Sequence, residues 1–169
     1  MHALFRLSQL KVIIFFLAAA WLPTNCFATF VSSYQESTKN VMQLIEGEPS
    51  LSTLAKAIKA AGLDATLAEK GPYTIFAPNN AAFDKLPSKT LDNLLKPENK
   101  DELISMLKSH IVKQKIFAIR SGTLTSLNDT HIQVKTRGSA ILVNDSNIVK
   151  ANLIGTNGVI HIIDMVWTP

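Results

Sequence analysis

The sequence predicts an α+β domain with an antiparallel sheet, and three observations carry that prediction. Between Thr38 and His110 the apolar residues recur at helical spacing; Leu51, Leu54, Ala55 and Ile58, for example, fall at i, i+3, i+4 and i+7. From Ile132 onward the period changes to two, with polar turn residues between short apolar runs. A single strand, Tyr73 to Ala77, interrupts the helical half, so helices and hairpins are segregated and do not alternate as βαβ units.

Residues 1–28 read separately from the rest. Arg6 and Lys11 give a positive start, and Val12 to Trp21 form an apolar run of ten residues. Leu22 to Ala28 follow as a Pro-containing exit, with Cys26 and Ala28 at −3 and −1 of a cut before Thr29. The run is shorter than the roughly 20 residues of a membrane span. The segment therefore predicts a cleaved secretory signal, no membrane span after cleavage, and a secreted or periplasmic protein. Cys26 is the one cysteine, and Pro23 and Asn25 match a lipid-attachment box poorly. After the cut no thiol remains, so neither disulfide nor cysteine chemistry is expected.

Charge narrows the partners. The 169-residue chain suits one domain and carries a formal +4, with an isoelectric point near 9.2. Removing Arg6 and Lys11 from the 17 basic residues leaves 15 against 13 acidic ones. Those 15 are scattered singly among Asp and Glu, which excludes a nucleic-acid footprint.

Along the domain, Thr29 to Gln35 read as a leader. Thr38 is expected to cap a helix bearing Val41, Leu44 and Ile45, with Gly47 as its left-handed end. Ser50 starts a second helix that Gly62 stops, and Leu63 to Glu69 form a short third. Gly71-Pro72 and Pro78 fence the strand of Tyr73, Thr74, Ile75 and Phe76, after which Asn79-Asn80 cap a helix carrying Ala82 and Phe83. Ser88 opens a helix with Leu91, Leu94 and Leu95 inward and Pro97 as the stop. Asn99 and Glu102 have capping-box spacing, and the helix they open presents Leu103, Met106, Leu107 and His110 on one stripe.

In the second half Ile132 and Val134 alternate with Gln133 and Lys135. Arg137-Gly138 turn into Ala140 to Val143, Asn144 to Asn147 turn again, and Ile148-Val149 make a short strand. Gly155 to Gly158 lead into Val159 to Val166, apolar on both faces and hence a central buried strand.

Three stretches resemble one family. TIFAPNNAAF (Thr74–Phe83) is similar to the first signature of the fasciclin, or FAS1, domain, roughly T-V-F-A-P-T-N-x-A-F. NGVIHIIDMVWTP (Asn157–Pro169) is similar to its second, N-G-V-I-H-V-I-D-x-V-L-x-P. Between them His110–Val112 (HIV) stands where the family usually has Tyr-His and two aliphatics. Order and spacing agree over about Ser37 to Pro169, so the resemblance assigns residues 37–169 to one FAS1 domain of the bacterial secreted single-domain type. It implies a wedge-like antiparallel β-sandwich with helices packed across it. It also implies cell adhesion, or binding of surface or matrix protein or polysaccharide, with no enzymatic activity and no cofactor. The signature residues carried over as structural are Thr74, Phe76, Pro78, Asn79, Phe83, His110, Asn157, Gly158, His161 and Asp164. Ser109 replaces the Tyr linked to integrin binding in animal members, so that recognition is not implied here. Asn128-Asp129 and Asn144-Asp145 stand where Asn-Gly is common.

Candidate chemistry is sparse. His110 lies on the core stripe and is expected to tie its helix end to the Asn79/Asn80 turn. His161 and Asp164, three apart on a strand, point to opposite faces, and His131 opens a hairpin. With no cysteine to join them, these histidines predict no metal site. G-x-S-x-G is absent, and Ser121-Gly122 has no supporting pattern. Asp101-Glu102 sit at a helix start, where they favour the dipole. Asn128-Asp129-Thr130 and Asn144-Asp145-Ser146 fit a glycosylation triplet that arises often by chance. Lys113, Lys115 and Arg120 mix with apolar residues in Ile111–Arg120, which makes that segment the expected binding surface. The alternative reading is a periplasmic carrier or sensor holding a small apolar or saccharide ligand in an enclosed pocket.

Overall fold

A computed structural model describes residues 37–168, apart from Lys70, Ser88 and Ser139. The signal reading of residues 1–28, the leader to Gln35 and the helix start at Ser88 lie outside the described residues. No helix among the described residues is long and apolar enough to cross a membrane.

The helical half matches its period, with corrections at the caps. Helix α1 (Val41–Gly47) is capped by Asn40, not Thr38. Asn40 accepts from the Gln43 backbone N–H at 2.8 Å while Gln43 accepts from the Asn40 N–H at 3.0 Å, a reciprocal box. Gly47 stays helical, and the chain leaves through Glu48 in an extended conformation, as the following Pro49 requires. A 3₁₀ turn (Pro49–Leu51) feeds α2 (Ser52–Ala61), which ends on Gly62 at φ 74°. After α3 (Asp64–Ala68) comes β1 (Tyr73–Pro78), then α4 (Asn80–Asp84) and α5 (Thr90–Leu94). Helix α6 (Lys100–Ser109) lacks the expected capping box. A 3₁₀ turn (Pro97–Asn99) winds straight into it, and the Asn99 side chain donates instead to Asn93 O at 2.8 Å.

Among the described residues seven strands form one sheet, in the order β2-β1-β7-β6-β5-β4-β3. They are β1, β2 (Ile111–Val112), β3 (Gly122–Thr125), β4 (His131–Arg137), β5 (Ala140–Val143), β6 (Ser146–Ile154) and β7 (Gly158–Ile163). Every pairing is antiparallel except β1 with β7, which run parallel from Tyr73↔Gly158 to Pro78↔Ile163. That corrects the expectation of a purely antiparallel sheet. Both strands are buried at every position, as strands covered on two faces are, and the long excursion between them supplies the crossover. The Asn144-Asp145 turn needs only two residues, both at positive φ (46° and 64°), so β6 is far longer than Ile148-Val149. Two register shifts along it, and Asn152 at φ 58°, break the alternation that would have marked it.

Side-chain alternation on the central pair divides the interior. Tyr73, Ile75 and Ala77 of β1, with Ile160 and Ile162 of β7, pack against helix residues such as Ile45, Leu54, Ile58, Leu103 and Met106. Phe76 and Ile163 point the other way, onto Val112, Ile132, Val134 and Val143. The sheet curls around this second core, and Leu127 N–H, just past β3, donates to Ile111 O of β2 at 2.7 Å. Helices cover one face of the β1–β7 pair and hairpins cover the other.

Candidate functional site

The three signature stretches meet in one group of rings, buried except for the half-buried Trp167. Phe76 stacks on His161 with centroids 5.7 Å apart and tilts against Trp167 at 5.6 Å. Trp167 in turn lies nearly parallel to His110, 4.5 Å away. His110 is fixed through both ring nitrogens. Nδ1 faces the Met106 carbonyl at 2.8 Å and so carries the proton, leaving Nε2 to accept from the Trp167 backbone N–H at 3.1 Å. The expected tie to Asn79/Asn80 is therefore replaced by one to Trp167. Asn79 instead caps its own helix, accepting from Ala82 N–H at 2.8 Å, and Asn80 donates to Pro49 O at 3.0 Å.

His161 takes the opposite tautomer. Its Nε2 donates to Ile116 O at 3.0 Å and its Nδ1 accepts from Asn152 N–H at 3.3 Å. Burial pushes the His110 imidazole down to about 4 and lowers His161 as well, so both rings are neutral at physiological pH. With both nitrogens of each ring engaged, neither is left to bind a metal or move a proton. Among the described residues no group of three His, Cys, Asp or Glu side chains could hold a metal ion.

Asn157 pins the second signature to the helices. Its Oδ1 accepts from Val41 N–H at 2.8 Å, and its Nδ2 donates to Leu67 O at 2.8 Å and Glu69 O at 2.6 Å. Beside it a Cβ on Gly158 would stand 2.5 Å from Tyr73 O, which explains the glycine. Asp164 lies just past β7 and does not approach His161. Burial acts to raise its carboxyl, but bonds from the Asn147 N–H and Nδ2 (2.8 and 2.9 Å) outweigh that and lower it. Pro78 ends β1 beside Ile163, and Phe83 is buried in the helical core.

The same central strands clamp the segment Ile111–Arg120. Thr74, fully buried, donates to Gln114 O at 2.5 Å and accepts from Ile116 N–H at 2.9 Å. The His161 bond to Ile116 O holds the segment from β7. Lys115 sits between these anchors, half-buried, its Nζ 3.4 Å from Thr156 O and 5.7 Å from the centre of the Phe117 ring. Lys113 and Arg120 are exposed, as is Phe117 at 48%. Lys115 also enters the wall of an open cleft of about 540 Å³, together with the end of α3 (Ala68, Glu69), the Gly71-Pro72 turn and Thr156-Asn157. Lys113 and Arg120 do not line it.

Trp167 and Ser146 are the partners that sequence reasoning missed. The indole Nε1 donates to Ser146 Oγ at 2.7 Å. A signal existed, because Trp167 is the one tryptophan beyond residues 1–28 and an indole packed against a core needs an acceptor for its N–H.

Comparison with known proteins agrees with this architecture. A family model described as the Fasciclin domain matches residues 49–169. Protein sll1483 of Synechocystis sp. is 41% identical over 140 residues, spanning 80% of this chain and 78% of that protein. Transforming growth factor-beta-induced protein ig-h3 of Sus scrofa is 35% identical over 136 residues, which are 78% of this chain but 20% of that protein. Among solved structures, a FAS1 domain pair from the insect cell adhesion molecule Fasciclin I superposes with a TM-score of 0.67 at 20% identity, covering 79% of this chain and 52% of that one. This last likeness is one of fold.

Proposed function

This chain belongs to the fasciclin domain family, with the FAS1 fold, and from that premise we propose that it is an exported, non-enzymatic binding module. Its partner would be a surface or extracellular-matrix protein or a polysaccharide, and its role adhesion or surface attachment. The relationship to a cell adhesion molecule supports that role by analogy of fold. One observation carries the reading. The buried polar side chains are spent on structure, since among the described residues no buried side-chain N or O lacks a partner. That leaves the outer surface for a ligand, and the proposed contact is Ile111–Arg120, where Lys113, Lys115, Arg120 and Phe117 mix positive charge with exposed aromatic surface. The cleft next to that segment is open and carries Lys115 and Glu69 in its wall, which favours surface binding over the enclosed apolar pocket of a carrier.

Fractionation of the producing cells, together with a pull-down by the protein from Thr29 to Pro169, tests the proposal. The expected result is a shortened chain outside the cytoplasm that retains envelope or matrix material. An unprocessed cytoplasmic chain, or one that retains none, would contradict it.

A further inference from the structure

The cleft beside Lys115 points to a ligand class, and this inference rests on the binding-module reading above. Its volume, about 540 Å³, lies within the range of small-molecule sites. Lys115 is held ready for an anion. Its backbone is clamped on both sides, at Gln114 O and Ile116 N–H by Thr74 and at Ile116 O by His161. Its ammonium has three protons to donate, yet its nearest acceptor, Thr156 O, is a long 3.4 Å away. Among the described residues no carboxylate lies within salt-bridge distance of it.

The rest of the wall restricts what the anion can be. Glu69 shares the cleft, so a ligand dense in phosphate or sulfate would meet a like charge. A wholly apolar ligand would strip water from both Lys115 and Glu69 with nothing in return. A neutral sugar would offer the ammonium only uncharged hydroxyl acceptors, whereas a carboxylate adds a counter-charge. What matches is a ring with one carboxylate for Lys115, hydroxyls to donate to Glu69, and an apolar C–H face for Pro72. We propose that this cleft binds a uronate residue of an acidic polysaccharide, with Lys115 taking the carboxylate.

Titration of the full-length protein with a galacturonate trimer, against a neutral galactose trimer, tests this by calorimetry and amide chemical shifts. The galacturonate trimer is expected to perturb Glu69, Lys115, Thr156 and Asn157 and to bind about tenfold tighter than the neutral one, with affinity falling as salt rises. Lys115→Gln is expected to lose about tenfold, with an unchanged melting temperature. Equal binding of the two trimers, no binding of the galacturonate trimer at millimolar concentration, or full affinity in Lys115→Gln would overturn the proposal. If the protein still retains envelope or matrix material while ignoring the galacturonate trimer, the ligand class falls and the binding-module reading stands.

Discussion

Strands β1 and β7 are buried at every position, whereas the hairpins from Gly122 to Ile154 expose most of theirs. Between helices on one side and hairpins on the other, the central pair has no surface to offer a partner. Its polar members, Thr74 and His161, spend their bonds holding Gln114 and Ile116. The hairpins and the Ile111–Arg120 segment carry the exposed apolar side chains Phe117, Val149 and Ile154 together with exposed charge, and the outer helix faces carry exposed charge as well. The contrast separates two jobs. The centre fixes backbone geometry, and the proposed function places partner binding at the periphery.

Substitutions at the centre should break that contrast most visibly. Phe76 is fully buried and touches His161, Trp167 and the second core. Phe76→Ala is expected to cost about 3–5 kcal/mol, read as a large drop in the denaturant midpoint. A loss below about 1 kcal/mol would mean the ring group is not the keystone described.

Next comes acidity. Burial holds the His110 pKa at about 4 in the folded chain, below its ordinary 6.5. The unfolded state therefore binds a proton first as pH falls. Stability from the neutral ring is complete above pH 6.5 and is lost progressively towards pH 4, roughly 3 kcal/mol in all. His161 shifts in the same direction and adds to the slope. His110→Gln should remove most of the loss in this window, and an unaltered profile in that variant would contradict the assignment.

Asn157→Ala should follow at about 2–3 kcal/mol, because it leaves Val41 N–H, Leu67 O and Glu69 O without their partner. Thermal melts would show it. At the periphery Val149→Thr, at a side chain 60% exposed, should stay within about 0.5 kcal/mol of the parent.

Legibility in the sequence followed the same division. The two-sided burial of β7 was readable because Val159 to Ile163 is an unbroken apolar run but for one histidine. The helix faces were readable from spacing. By contrast β3, Gly-Thr-Leu-Thr, carries one apolar side chain and no marked period, and β6 is broken by its register shifts. Bonds across long sequence separations left no local trace. Asn157 reaches Val41 across 116 positions and Trp167 reaches His110 across 57, whereas sequence proximity points His110 to Asn79. In the expected binding segment, sequence alone could not distinguish Lys115, half-buried in a cleft wall, from the exposed Lys113 and Arg120.

In the proposed function, partner binding resides on Ile111–Arg120 while the interior serves only architecture. Reversing Lys113, Lys115 and Arg120 to Glu together and measuring a binding isotherm on the isolated surface or matrix material tests it most directly. The expected result is an unchanged melting temperature with affinity at least about tenfold weaker. Unaltered binding by the folded triple variant would contradict it.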